Sequence, residues 1–420
     1  MKILLNTVGS HGDALPFIAI AQELQRRGHE PLLFANGSFA ALATAAGVPF
    51  VETSSAEQQA AALRDPAAID MRKGLALLAD AVMLNLRQSL ELMEQAHEPG
   101  RTLVVGSSVA WATRVFAERH RVPVATLHLA PALFRSEYRA PSVGPLGHLE
   151  RAPRFIKRYL WSMMDRRFLD PLFAVPFNRI RAELGLPPVA RVYHDWLHQA
   201  DLTLGLFPEW FAPKQPDWPQ GLQLTGFPLQ PASSTLPAEV EAFLSQGDAP
   251  VAFTAGTANA ASHAFFAASA EACRLSGRRG LLITHSPEQL PPVLPQGVMH
   301  VGYAPFDALL PRVSAFVHHG GIGTTAQALR AGVPQLVKPM GADQFDNASR
   351  TVQLGVAKQL LPRRYNARTA AHALDLLVSD PVVRERCEAM RHQMAKQNGV
   401  SAACDAILDQ LALAHSAGAR

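Results

Sequence analysis

Ala315-Phe316-Val317-His318-His319-Gly320-Gly321-Ile322-Gly323-Thr324-Thr325 runs from an apolar strand pattern through a glycine-rich turn into a helix start. That succession suits a diphosphate. Glycines let backbone N–H groups come close, the helix dipole favours negative charge, and the Thr324 hydroxyl adds a donor. The imidazole of His319 can donate to the same oxygens and stabilise a leaving group. A plain turn with a capping threonine would need no strand before it, so the setting favours the anion-binding reading.

Working outward, strand patterns alternate with helix patterns in both halves of the chain. The second half reads as strands at 251–254, 280–284, 299–301, 315–318 and 335–338, with helices at 265–275 and 325–331. The first half reads as strands at 3–8, 31–35, 48–51, 102–106, 124–128, 202–206 and 222–225. Helices fall between them at 39–46, 75–95 and 110–119, and Pro16 is expected to open a helix at its first turn. Such alternation predicts α/β architecture with parallel sheets covered on both faces. With 420 residues, two domains of about 200 residues each are expected. We place them at 1–229 and 238–395, joined by a linker near 230–237, with a helical tail at 396–420 expected to pack back toward the first domain. Ligands of such sheets bind at the carboxyl ends of strands, which points to the cleft between two facing Rossmann-like domains.

Composition narrows the function classes. No apolar run approaches the roughly 20 residues of a membrane-spanning helix, and the start Met1-Lys2-Ile3-Leu4-Leu5-Asn6 reads as a strand, not a signal peptide. Cys273, Cys387 and Cys404 lack metal-ligand spacing and are odd in number, which argues for a reducing cytoplasm. A net charge of +4 is too small to point to nucleic acid.

Downstream of the glycine turn, Gly332-Val333-Pro334 leads through a strand to Asp343-Gln344. A carboxylate beside a carboxamide suits the vicinal hydroxyls of a sugar, since one accepts and the other both donates and accepts. The same pair can equally cap the helix that follows.

His-Gly-Gly-x-Gly-Thr, then Gly-x-Pro, then Asp-Gln resembles the nucleotide-sugar signature of family 1 glycosyltransferases, the UDP-glycosyltransferase superfamily with the GT-B fold. Gly9-Ser10-His11-Gly12-Asp13-Ala14-Leu15-Pro16 is similar to the loop after the first strand in bacterial members. The segments Phe207-Pro208-Glu209-Trp210-Phe211-Ala212-Pro213, Asp217-Trp218-Pro219 and Thr225-Gly226-Phe227-Pro228-Leu229 resemble, more narrowly, the rhamnosyltransferases of rhamnolipid synthesis.

The resemblance implies roles residue by residue. Asp13 stands where members carry the base that deprotonates the acceptor hydroxyl; a helix-capping role is the alternative, and His11 is a weaker candidate base. Gly256 and Thr257, with His319, Gly320, Gly321, Gly323 and Thr324, would hold the diphosphate. Tyr303, before Ala304, would stack on the nucleobase, unless it is a core tyrosine. Asp343 and Gln344 would hold the donor sugar. Many members have Glu at the position of Gln327, where it binds both ribose hydroxyls; a neutral amide loses that charge-assisted bond and suits dTDP, whose sugar lacks the 2′-hydroxyl.

The resemblance thus implies an inverting hexosyltransferase needing neither cofactor nor metal. It would move L-rhamnose from dTDP-L-rhamnose to a 3-(3-hydroxyalkanoyloxy)alkanoate. The alternatives are a glucosyltransferase acting on a sterol, polyketide or other small aglycone, and a non-enzymatic lipid-binding partner of another transferase. Residues 150–173 mix Arg and Lys with Trp, Tyr, Phe and Met. Three readings stay open for them: a face lying on the inner membrane, a lid over a greasy acceptor pocket, and a helix buried on one side.

Overall fold

The computed structural model describes residues 1–58, 71–142, 149–150, 152–230, 235–256 and 262–418. The chain forms two compact units, one of Met1–Pro141, His148–Pro228 and Asn398–Arg420, the other of Ser142–Gly147 and Leu229–Gln397.

The first unit carries β1 (Lys2–Asn6), β2 (Glu30–Asn36), β3 (Phe50–Ser54), β4 (Thr102–Ser107), β5 (Val124–His128), β6 (Leu202–Gly205) and β7 (Gln223–Leu224). They form one parallel sheet in the order β3-β2-β1-β4-β5-β6-β7. The order reverses between β1 and β4, and such a switch point opens a crevice beyond the strand ends. Ile3, Leu4 and Leu5 are all fully buried, the continuous apolar run expected where helices cover both faces. On one face Leu4, Phe34 and Val104 pack with Trp111, Phe116, Phe173, Phe177 and Trp196. The helix Gly399–Gly418 belongs to this unit. Arg27 bonds Asp405 at 2.5 Å, and the Cys404 thiol reaches the Ile20 carbonyl at 3.7 Å.

The second unit carries β8 (Val251–Thr254), β9 (Gly280–Ile283), β10 (Val298–Val301), β11 (Ala315–His318), β12 (Gln335–Val337) and β13 (Ala357–Gln359). They pair in parallel in the order β10-β9-β8-β11-β12-β13, with the reversal between β8 and β11. Alternate residues feed two cores. Val251, Phe253 and Val317 pack with Phe266 and Leu374, while Ala252 and Phe316 pack with Leu309 and Leu310. β13, three residues long, is absent from the sequence reading because so short a run carries no periodic signal.

Pro16 does not open its helix. The helix runs from His11 to Arg26, with Ser10 as N-cap and Pro16 inside it. Gly9, at φ +135°, turns the chain sharply enough after β1 for the helix to begin at once. The aromatic-basic segment is an α-helix over Arg154–Met164 that loosens into a π-helix over Asp165–Ala174, which contains Pro171. Phe173 is buried there, whereas Phe155 is 71% and Tyr159 67% exposed. No helix among the described residues is long and apolar enough to cross a membrane.

Candidate functional site

The glycine turn of the second unit follows β11, beside the strand-order reversal. His318 closes the strand, fully buried, and its Nδ1 accepts the Gly320 N–H at 3.1 Å. That fixes the tautomer, because Nε2 must then donate to Gln335 Oε1, 3.0 Å away on β12. Burial lowers the His318 pKa to about 3, so the ring stays neutral and works as a brace. The Gly320 N–H, expected to face phosphate, is therefore spent inside the loop. Gly320 itself supplies a φ of +91°, and a Cβ there would stand 2.8 Å from Val337 and 3.0 Å from the Gln344 carbonyl.

His319 lies between two glycine backbones. A Cβ on Gly256 would come within 2.5 Å of its ring, as would one on Gly321. Those glycines are thus needed for room. Burial lowers the His319 pKa to about 4, leaving a neutral imidazole. Its Nδ1 is buried with no hydrogen-bond partner among the described residues. The helix Ile322–Ala331 begins directly after Gly321, so the N–H groups of Ile322, Gly323 and Thr324 have no intrahelical acceptor. Gly323 borders open space. Thr257 lies outside the described residues.

The acid–amide pair comes to the same edge. Asn347 Nδ2 donates to the Gly320 carbonyl at 3.0 Å and to Asp343 Oδ2 at 2.7 Å. Asp343 occupies the N-cap position of the helix Gln344–Gln353, but its side chain forms no capping bond. Gln344 Oε1 accepts from the Met340 and Gly341 N–H groups at 2.8 and 3.2 Å. Ala342 between them is in the left-handed region at φ +49°, a conformation disfavoured for a residue with a Cβ.

Tyr303 and Ala304 follow β10, two strands from β8. Tyr303 is 61% exposed, which excludes a core role, and its ring stacks on His285 at 6.1 Å and 10°. Ala304 is buried in an apolar cluster. Gln327 accepts from Arg330 at 2.5 Å, so its amide oxygen is already engaged.

In the first unit, Asp13 sits on the helix that follows β1, again at the order reversal. Its Oδ2 accepts from the Ser10 N–H at 2.7 Å and the Ser10 hydroxyl at 3.1 Å. The capping expectation for Asp13 is therefore met, with Asp13 at the third helical position of a capping box with Ser10. Burial raises its pKa, and the two Ser10 bonds oppose that shift only in part. A Cβ on Gly9 would collide with this carboxylate. His11 is exposed, edge-on to Phe39 at 5.1 Å.

Sequence reasoning missed a buried polar chain at the carboxyl end of β4 and β5. Ser108 Oγ contacts His128 Nδ1 at 2.8 Å, and His128 Nε2 contacts His198 Nδ1 at 3.3 Å. Phe134 stacks on His198 at 5.3 Å. Burial keeps both imidazoles neutral, with the His198 pKa lowered to about 4 and that of His128 well below its ordinary value. Scattered over 91 positions, these residues form no sequence motif.

Each of the two parallel sheets carries a glycine-bearing loop at its switch point, the place where doubly wound sheets bind ligands. Residues 281–406 match the erythromycin biosynthesis protein CIII-like C-terminal domain. The chain is 31% identical over 428 residues to the O-mycaminosyltylonolide 6-deoxyallosyltransferase of Streptomyces fradiae, covering 96% of each protein. Among solved structures, the glycotransferase of kitacinnamycin superposes with a TM-score of 0.73 at 23% identity, covering 98% of this chain and 99% of the other. VinC in complex with dTDP superposes at 0.67 and 18% identity, covering 98% and 99%. The chain belongs to the family 1 glycosyltransferases of this erythromycin-CIII-like type.

Proposed function

We propose that the chain is an inverting, metal-independent hexosyltransferase that moves L-rhamnose from dTDP-L-rhamnose to the hydroxyl of a 3-(3-hydroxyalkanoyloxy)alkanoate, giving a mono-rhamnolipid. The observation that carries the donor half is neutral His319 held between Gly256 and Gly321 at a helix start with open N–H groups. The engaged amide of Gln327 supports a 2′-deoxyribose donor. A relative named for a 6-deoxyhexose, which rhamnose also is, supports the sugar class. The acceptor rests on the segments at 207–213, 217–219 and 225–229. The exposed Phe155 and Tyr159, interleaved with Arg154 and Arg158, suit a peripheral seat on an anionic inner membrane where a fatty acceptor gathers.

In the single displacement, Asp13 takes the acceptor's proton as its oxygen bonds to the anomeric carbon. The bond from that carbon to the diphosphate oxygen breaks, and the electron pair leaves with the diphosphate. His319, the Thr324 hydroxyl, Thr257 and the open N–H groups stabilise that charge. Gly320 and Gly321 shape the loop, Tyr303 and Ala304 border the base, and Asp343 with Gln344 hold the sugar hydroxyls. Helix-end donors do the work for which other transferases use a divalent cation, so activity should survive EDTA.

The second reading is transfer to a polyketide, sterol or other small aglycone, favoured by the relative's name, which is that of an enzyme glycosylating a tylonolide. A panel of dTDP-rhamnose and UDP-glucose against hydroxyalkanoyloxyalkanoate, a macrolide aglycone and a sterol, with mass detection, separates the two. Product only from the macrolide or sterol would overturn the rhamnolipid reading.

A further inference from the structure

Lys338 directly follows β12, and its N–H donates to the His318 carbonyl at 2.9 Å, so it emerges beside the His318–Gly321 turn. The residue is nine-tenths buried. It lines a recess with Ala255, Ser262, Phe265, His319 and Met340, at which the helix His263–Ser276 also begins. Burial alone depresses its pKa; no neighbouring charge contributes to the shift.

What does hold the ammonium is aromatic. Nζ lies 5.3 Å from the Phe265 ring centroid and 5.4 Å from that of Tyr365. Those rings are fixed, since they stack on each other at 5.2 Å and the Tyr365 hydroxyl bonds Ser269 at 2.7 Å. A structural lysine buried to this degree ordinarily meets a carboxylate, which would neutralise it. Ring faces attract the cation without accepting its N–H bonds fully, so positive charge and donors remain for a ligand. His319 lines the same recess, and its Nδ1 is buried and without a partner among the described residues. Two polar side chains thus line it, and neither is paired with a carboxylate among the described residues.

We infer that Lys338 is a cationic seat for the donor's diphosphate, offered at the recess it lines together with His319. The inference rests on the donor reading above. It adds a charge contact from the strand end, where the sequence motif places none, and it helps explain how a site built from neutral imidazoles and N–H groups can offset a leaving group that gains a third negative charge as its bond to the sugar breaks.

Calorimetric titration of thymidine and dTDP into the wild type and Lys338→Met tests it, with Lys338→Gln as second variant should the first not fold. The expected result is dTDP weakened about ten- to a hundredfold, the worth of one charge-assisted contact, with thymidine affinity unchanged. The ligand-free variant should melt no lower than the wild type, because it loses a desolvated charge that no carboxylate neutralises. Unchanged dTDP affinity, or equal weakening of dTDP and thymidine, would overturn the assignment while leaving the donor reading intact. A wild type that binds no dTDP would overturn both.

Discussion

Gly321→Ala tests the packing of His319 without left-handed backbone strain. Gly321 has φ −59° and ψ 142°, a conformation open to alanine, so no left-handed strain enters. The new Cβ would stand 2.5 Å from His319 Nε2, closer than any relaxed contact. The ring has little room to slide away, because the Gly256 backbone also packs so close to it that a Cβ there would clash. Overpacking of this kind costs about 1–3 kcal/mol, and exchanging glycine for alanine at an N-cap adds about 0.5–1 kcal/mol. The sum, roughly 1.5–4 kcal/mol, lowers the melting temperature of the second unit by about 3–15 °C at its size. In a His319→Ala background the clash has no partner, so only the capping loss of about 0.5–1 kcal/mol should remain. Scanning calorimetry of the four proteins closes the cycle. A coupling energy below about 0.5 kcal/mol, within the range of independent sites, would refute the view that Gly321 exists to admit this ring.

Asp13→Asn should cut turnover about 10²–10⁴-fold and leave dTDP affinity unchanged; near-normal turnover removes Asp13 from the chemistry. Because burial raises its pKa, wild-type kcat/KM should fall with decreasing pH from above the ordinary Asp value of about 3.9, with one proton per turnover step. Arg350 and Asp346 form a buried pair at 2.6 Å; Arg350→Met strands that carboxylate and should cost about 3–5 kcal/mol in urea unfolding, and a loss below about 1 kcal/mol would count against it. His318 binds its proton more weakly folded than unfolded, so the unfolded chain gains protons first as pH falls. Stability should therefore decline from about pH 6.5 toward about 3, and His318→Gln should flatten that decline in urea midpoints measured against pH.

Much of this architecture was legible because its strands are buried on both faces. Ile3-Leu4-Leu5 and Phe316-Val317 read as apolar runs, and the packing shows why, with successive residues serving opposite cores. Side-chain depth was not legible. Lys338 stood in view within Gln335-Leu336-Val337-Lys338-Pro339, yet nothing in the order of residues tells a buried cation from a solvated one. His318 likewise resembles its neighbour in the sequence. The partner that makes it a brace, Gln335, arrives only when β11 and β12 pair. Pro16 misled for a related reason: proline is favoured in a helix's first turn, but Gly9 starts this helix early enough that proline falls in the second.

Strand order is the link between the two kinds of residue. Right-handed crossovers place successive helices on one face of a parallel sheet until the order reverses, and only there do neighbouring loops part enough to admit a ligand. In the first unit the reversal separates β1 from β4, and Gly9 and Asp13 follow β1 while Ser108 follows β4. In the second it separates β8 from β11, and Gly256 follows β8 while His319 through Thr324 follow β11. Lys338 follows β12, the next strand out. Glycines cluster in these loops because close approach is the point of the crevice; neutral histidines can be buried in them because burial suppresses their charge. An anion entering such a place meets donors already stripped of water, which is why a single added cation there should weigh more than several on the surface.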